Sequence, residues 1–480
     1  MSVVCGILFM FGPGSHEEVQ NLLPRLVHRG PDDQRIIGTD EMALGFTRLA
    51  INGSGEVGAQ PMEHKGLIGA FNGEIYNHRA LSEKYGLSLS LSDTDVMLPL
   101  FKKLSEGILD VLDGFFSGVI IDRTTSTIWT IRDHIGKKPL FVGRSGTKVF
   151  ITSELKAIDN VDHFAALPLG LSSVDALTGE VNVIRQHQSI QKLDSLTNIF
   201  RDAVIKRLPG PTQPVAVFLS GGLDSSLVAA VVDEHRPDAT YFILGSGDDH
   251  EAVQDVVKAL GLKDVRYVGL PNAEEIPILI QKVVWATESF NPSIISNGLG
   301  TYLLSKSVNE AGIKVVLGGE GADELFGGYH KYSSPNSNWK YIRKQLINDM
   351  PITELRRLDL SSMAHSVEVR CPFLDQRVRN FSDNLVFDDL YRGDVNKAIL
   401  REVFEGFLPN SVLQRQKTSL DVGSGIRSLV VKCLTNNGQT ERQSLKEMWN
   451  ELFDMDVSNL FFSSYPVFDA VIDKRGRGHR

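Results

Sequence analysis

Ser220-Gly221-Gly222-Leu223-Asp224-Ser225-Ser226 stands between two apolar runs, Val215-Ala216-Val217-Phe218-Leu219 ahead of it and Leu227-Val228-Ala229-Ala230-Val231-Val232 behind it. The first run is short and β-branched, which suits a buried strand. The second is longer and alanine-rich, which suits a helix. A glycine pair at the junction lets the backbone bend sharply and present bare N–H groups. Those groups, the serine hydroxyls and the positive helix end together attract phosphate oxygens. Asp224 adds a carboxylate, which repels phosphate unless a cation sits between them; Mg²⁺ is the hard ion that bridges both. A lysine-bearing phosphate loop of the GxxxxGKS/T type is excluded, because no lysine follows the glycines.

Outward from this loop, strands and helices alternate: Thr240 to Leu244, helical spacing over Glu251 to Leu260, Val265 to Val268, helical spacing over Ile276 to Thr287 and Gly300 to Ala311, then Lys314 to Leu317. Such alternation predicts a parallel sheet covered on both faces, with ligands at the carboxyl ends of the strands. A second glycine-rich acidic loop, Gly318-Gly319-Glu320-Gly321-Ala322-Asp323-Glu324, follows the last of these strands. Two such loops at one sheet edge place Asp224 and Asp323 around a common cation. Upstream, Asp194 to Leu208 reads as a helix that Asp194 or Ser195 can cap.

The chain has 480 residues, 42% of them hydrophobic, enough for more than one core. A net charge of −9 gives no nucleic-acid-binding face. The cysteines, Cys5, Cys371 and Cys433, are too scattered for a disulfide framework or a zinc site, which points to a reducing, cytoplasmic setting. Val3 to Phe11 lacks a basic flank and reads as a buried strand, and no stretch has transmembrane length.

Before residue 158 short strands dominate, with helical spacing over Glu17 to Val27, Arg79 to Lys84 and Asp95 to Leu104, a pattern that suits stacked sheets with helices outside. Polar residues gather at strand ends: Cys5, Arg29 to Asp32, Arg48, Asn72-Gly73-Glu74 and Ser92-Asp93. An arginine can clamp a carboxylate, and acidic residues can hold an ammonium. Asn72 and the Gly73 N–H can stabilise the oxyanion formed when a thiolate attacks an amide.

Cys5-Gly6-Ile7, Arg29-Gly30-Pro31-Asp32, Arg48 to Ile51, Gln60-Pro61, Asn72 to His78, Ser92-Asp93 and Arg132-Asp133 occur in the order found in class II glutamine amidotransferase domains, which this third resembles. The resemblance implies an α/β fold of the α-β-β-α N-terminal-nucleophile (Ntn) hydrolase type. It also implies that Cys5 attacks the glutamine amide, that Asn72 and Gly73 form the oxyanion hole, and that Arg48, Asn72, Glu74 and Asp93 hold glutamine. One departure stands out. In that family the cysteine becomes the first residue and its α-amine is the base, whereas here Met1 to Val4 precede it. An α-amine has a suitable pKa, near 7.7–8.0, and an amide nitrogen is no base. Either the start is trimmed to Cys5, or the four residues are an artefact, or the glutaminase is silent.

The second part resembles the asparagine synthetase C-terminal domain, on SGGLDSS, GGEGADELFGGY, SMAHSVEVRCPFLD (362–375) and Arg415-Gln416-Lys417. Its loop is similar to that of ATP pyrophosphatases. The resemblance implies that ATP lies on Leu219, Ser220, Gly221, Gly222, Asp224, Ser225, Ser226, Ile243, Gly318 and Gly319, with Mg²⁺ on Asp224 and Asp323. Glu320 would orient or deprotonate the attacking nitrogen, and Lys417 would stabilise charged intermediates. His365 reads as a packing residue, and Glu368, Arg370 and Asp375 read equally as chemistry or as an internal ion-pair network.

The expected organisation is an amidotransferase domain over 1–165, a linker over 166–192, an ATP-pyrophosphatase-type domain over 193–455 and a tail from 456. The expected reaction is glutamine- and ATP-dependent conversion of aspartate to asparagine through an acyl-adenylate, with small-molecule partners and a homodimer as the assembly to test. The alternative is an ammonia- or amine-dependent amide ligase, similar to β-lactam synthetases, with a silent glutaminase. The acceptor is the open point. The family carries an arginine shortly before the position of Gly300 to Leu304, and Ser293 to Gly298 offers no cation.

Overall fold

The computed structural model describes residues 3–51, 56–88, 92–188, 194–245, 247, 249–329, 335, 338–416 and 418–455. The chain divides into two compact units between Gln188 and Ser189.

The first unit holds twelve strands. They are β1 (Val3–Phe11), β2 (Asp33–Thr39), β3 (Met42–Ala50), β4 (Met62–His64), β5 (Leu67–Ile75), β6 (Gly114–Asp122), β7 (Thr127–Arg132), β8 (Phe141–Ser145), β9 (Lys148–Thr152), β10 (His163–Ala166), β11 (Gly170–Val174) and β12 (Val181–Arg185). One antiparallel half runs β10-β8-β9-β1-β3-β2 and the other β4-β5-β6-β7-β11-β12. Among the described residues the halves join at one pair, Val3 opposite Gly73.

Period-two alternation fixes which side chains meet. Cys5, Ile7 and Phe9, Leu44 and Phe46, Ile68 and Ala70, Val119 and Ile121, and Val149 and Ile151 form one core between the two halves. The intervening residues of the second half, among them Leu67, Phe71, Phe116 and Ile120, pack on helices α2 (His78–Tyr85) and α3 (Met97–Leu104). Helix α1 (Ser15–Leu22) covers the other outside, with Val19 against Gly45. The layers are helix, sheet, sheet, helix, the α-β-β-α order expected. The stretch read as a linker is corrected in part: β11 and β12 lie inside it and extend the second sheet beside β7.

The second unit carries a parallel sheet in the order β15-β14-β13-β16-β17, formed by β13 (Ala216–Phe218), β14 (Thr240–Leu244), β15 (Asp264–Val268), β16 (Val315–Leu317) and β17 (Glu368–Arg370). Helix α4 (Leu196–Ile205) leads in, and Ser195 caps it by accepting the Asn198 N–H. Helices α5 (Leu223–His235), α6 (His250–Leu260), α7 (Glu275–Thr287) and α8 (Pro292–Glu310) make the crossovers. From β13 the chain first moves to one side of the sheet and returns at β16 on the other. The crevice between these neighbours is the switch point where such sheets bind ligands.

Helix α8 starts eight residues before the expected Gly300. Asn291 caps it by accepting the Ser293 and Ile294 N–H groups at 2.8 and 3.3 Å, and Pro292 occupies the first turn, where no N–H is needed.

Candidate active site

In the first unit the antiparallel register sets Arg48 directly opposite Cys5. The Cys5 N–H donates to Asn72 Oδ1 at 3.0 Å, which ties the cysteine to β5. Asn72 is fully buried and, among the described residues, its Nδ2 has no hydrogen-bond partner, so a donor stands ready for an incoming oxygen. Gly73 has φ +136°, and a Cβ there would come within 2.0 Å of the Phe115 carbonyl oxygen, so only glycine fits. Asp93 Oδ2 accepts the Ile75 N–H at 2.7 Å, fixing Asp93 against the strand that carries Asn72, Gly73 and Glu74. Burial, and next the nearby Glu74, push the Asp93 carboxyl well above the ordinary range. Two carboxyl groups in such company are relieved by a bound cation such as an α-ammonium. Burial likewise holds the Cys5 thiol up, although Arg48, Arg29 and Lys138 pull the other way.

Sequence reasoning noted Arg29 without giving it a task. Arg29 donates through Nε to the Cys5 carbonyl at 3.0 Å and through Nη1 to Glu154 at 2.7 Å, and both side chains are fully buried. Lys156 and His28 also reach Glu154, at 2.6 and 2.8 Å. Burial alone would raise this carboxyl, yet His28, Lys156 and Arg29 hold it well below the carboxylate range. The cluster grips the Cys5 backbone from behind, and two of its basic members, His28 and Arg29, lie more than a hundred residues from Glu154 along the chain.

In the second unit α5 begins directly after Gly222, which places Asp224 in its first turn. The loop is braced by its own serines: Ser225 Oγ accepts the Ser220 N–H at 3.1 Å and lies 3.0 Å from Ser220 Oγ. The two glycine-rich loops touch. A Cβ on Gly319 would fall 2.8 Å from Asp224 Cβ and 2.9 Å from the Ser225 nitrogen.

Asp224 and Asp323 converge on a single cation, the Lys397 ammonium, which lies 2.5 Å from an oxygen of each. Two carboxylates trained on one positive charge fit a hard divalent ion. Among the described residues no group of three or more His, Cys, Asp or Glu is disposed around a metal, so such an ion would need substrate oxygens and water as well. Lys397 was not among the expected site residues, because 173 residues separate it from Asp224. Lys417 falls outside the described residues.

These groups line a cavity of about 240 Å³ together with Leu219, Ser220, Gly222, Ser225, Gly319 and Glu320. Glu320 Oε2 is buried without a hydrogen-bond partner. Ile243 lines a smaller neighbouring recess with Leu219 and Ser220, while Gly221, Ser226 and Gly318 line neither. Farther along, α9 (Ala322–Phe326) carries Glu324, whose carboxyl is pushed up to about 8 by burial, then by Glu354 and Asp323. The opposite wall is built by α8 and by the helix Glu354–Met363.

The 362–375 stretch proves architectural. Arg370 Nε binds Glu368 at 2.9 Å, Arg207 Nη1 binds Asp375 at 3.0 Å, and all four side chains are buried. His365 packs edge-on to Tyr302 with centroids 4.2 Å apart, and burial lowers its imidazole to about 4.

A family model described as a glutamine amidotransferase domain matches residues 4–194, and one described as asparagine synthase matches 195–350 and 347–454. The chain is 31% identical to a probable glutamine-hydrolysing asparagine synthetase of Acanthamoeba polyphaga mimivirus, over 86% of this chain and 84% of that one. It is 32% identical to asparagine synthetase B of Escherichia coli strain K12, over 84% and 78% of the two chains, and 32% identical to asparagine synthetase 2 of Oryza sativa subsp. japonica, over 88% and 78%. Both units of the fold and both matched regions agree: the chain belongs to the glutamine-hydrolysing asparagine synthetase family.

Proposed function

We propose that this chain makes asparagine from aspartate, with ATP as the energy source and glutamine as the nitrogen donor. Supporting the synthetase half is one observation above all, the convergence of Asp224 and Asp323 on a cation position at the switch point, beside a serine- and glycine-rich loop that opens a helix.

In the first unit the Cys5 thiolate attacks the glutamine amide carbon. Asn72 Nδ2 and the Gly73 N–H donate to the oxyanion, Arg48 takes the glutamine carboxylate, and Glu74 with Asp93 takes the ammonium. The proton given up by the thiol goes to the departing nitrogen, which leaves as ammonia, and water releases glutamate from the thioester.

In the second unit an oxygen of the aspartate side-chain carboxylate attacks the α-phosphorus of ATP, and pyrophosphate departs. Ammonia then attacks the activated carbonyl, loses a proton, and expels AMP. Mg²⁺ held by Asp224 and Asp323 would neutralise phosphate charge. The Ser220 to Ser226 loop and Gly319 cradle the phosphates. Glu320 orients the nitrogen or takes its proton, and Lys417 stabilises the charged intermediates. With an ion held by the two aspartates, Lys397 would stay beside the phosphates as a further positive charge.

The test is a steady-state assay of AMP, pyrophosphate and asparagine, with aspartate and either glutamine or ammonium. Equal amounts of AMP, pyrophosphate and asparagine are expected. Accumulation of ADP and orthophosphate without AMP would overturn the reading.

A further inference from the structure

The wall of the cavity away from the SGGLDSS loop has a chemistry of its own. On α8, Ser293, Asn297 and Thr301 stand at i, i+4 and i+8, so they form one polar row, and all three line the cavity. Facing them is the helix Glu354–Met363, which contributes Glu354 and Arg357 to the same lining.

The cations of the described lining differ sharply in their engagements. Lys397 sits between Asp224 and Asp323. Arg415 is paired with Asp249. Arg401 is taken up by the carbonyls of Asn396, Leu413 and Arg415 and by the Asn396 side chain. Arg357 is 7% exposed; among the described residues its guanidinium donates from Nη1 to Thr301 Oγ1 at 2.9 Å, and its charge also acts on the nearby Glu354. A guanidinium has five donors in a fork that matches a carboxylate.

Resting on the acyl-adenylate reading above, we propose that Arg357 is the acceptor's carboxylate clamp: it binds the carboxylate that is not activated, while Thr301 holds the guanidinium in place. The cation that the 293–298 segment lacks is thus supplied from the facing helix. Glu354, one turn earlier on that helix, lines the same wall, so an acceptor bearing both carboxylate and ammonium meets complementary charges side by side. The acceptor class is an amino acid with a second carboxylate. Asp224, Glu320 and Asp323 line the same cavity, so the second carboxylate of the acceptor needs a cation beside it there.

The full chain carrying Arg357→Met or Arg357→Lys tests this with ammonium and ATP, at varied aspartate or β-alanine, which is aspartate without its α-carboxylate. Arg357→Met is expected to raise the KM for aspartate about 30-fold or more. It should leave the KM for ATP and the rate of glutamine hydrolysis in place, and bring the preference for aspartate over β-alanine close to one. Arg357→Lys should restore part of that preference. An unchanged aspartate KM in a folded Arg357→Met chain, or parallel rises for aspartate and ATP, would overturn the clamp. If the wild-type chain forms no AMP from aspartate, the reaction assigned above fails. Calorimetric titration of aspartate into the wild-type and Arg357→Met chains then decides the clamp alone: weaker binding to the variant upholds it and equal binding refutes it.

Discussion

The two units of this chain put reactive groups together in opposite ways. In the first, the register of antiparallel strands does it: Cys5 lies opposite Arg48 and is bound to Asn72 on β5, with the thiol buried in the core between two sheets. In the second, the ends of parallel strands do it: two loops that leave neighbouring strands meet over a cavity lined mostly by polar and charged side chains. A nucleophile needs one atom held against a few donors, which a rigid ladder supplies. Breaking a bridge between phosphates needs many donors arranged around a volume, which loops at a switch point supply. The units therefore should fail separately when damaged.

The sharpest break is Cys5→Ala. On the reading proposed above this removes the nucleophile, a loss of about 10⁴- to 10⁶-fold, so glutamine-supported asparagine formation should vanish while ammonium-supported formation persists. Equal loss with both donors would erase the distinction between the units. Next comes the base. With the Val4–Cys5 peptide bond intact, the Cys5 nitrogen is an amide at 3.0 Å from Asn72 Oδ1, and Val3 is strand-paired with Gly73. A chain prepared to begin at Cys5 should hydrolyse glutamine about 10²- to 10⁴-fold faster than one that keeps residues 1–4, the range of a positioned base, with ATP cleavage unaltered. The converse break is Asp224→Asn, where loss of one charge at the phosphates should cut AMP formation about 10²- to 10³-fold and leave glutaminase activity whole.

The two units also differed in how far they could be read beforehand. Strand-loop-helix strings such as 215–232 carry their geometry locally, so both glycine-rich loops and their meeting at one sheet edge were legible. Lys397 and Arg357 reach the cavity from distant segments, and no local pattern announces such an approach. The start of α8 was missed although Asn291-Pro292 spells a cap, because Gly298 and Gly300 obscure the helical period. β12 was missed for a different reason: as an edge strand with most of its residues exposed, Val181–Arg185 shows little of the alternation that marks a buried strand.

A last contrast lies within the first unit, between two buried carboxyl groups. Asp93 is pushed up, first by burial and then by Glu74. Glu154 is held down because Arg29, Lys156 and His28 already surround it. A carboxyl whose folded value is depressed lends stability above its unfolded value, about 4.3, and loses that contribution as the pH falls through this value toward the folded one. Glu154→Gln should therefore cost about 3 kcal/mol at pH 7, the lower end for breaking a buried pair, and the gap to wild type should narrow progressively as the pH falls below about 4. Urea denaturation of both chains between pH 7 and pH 3 measures it. A gap that stays constant over that range would mean that Glu154 acts through shape alone, and that the support behind Cys5 owes nothing to charge.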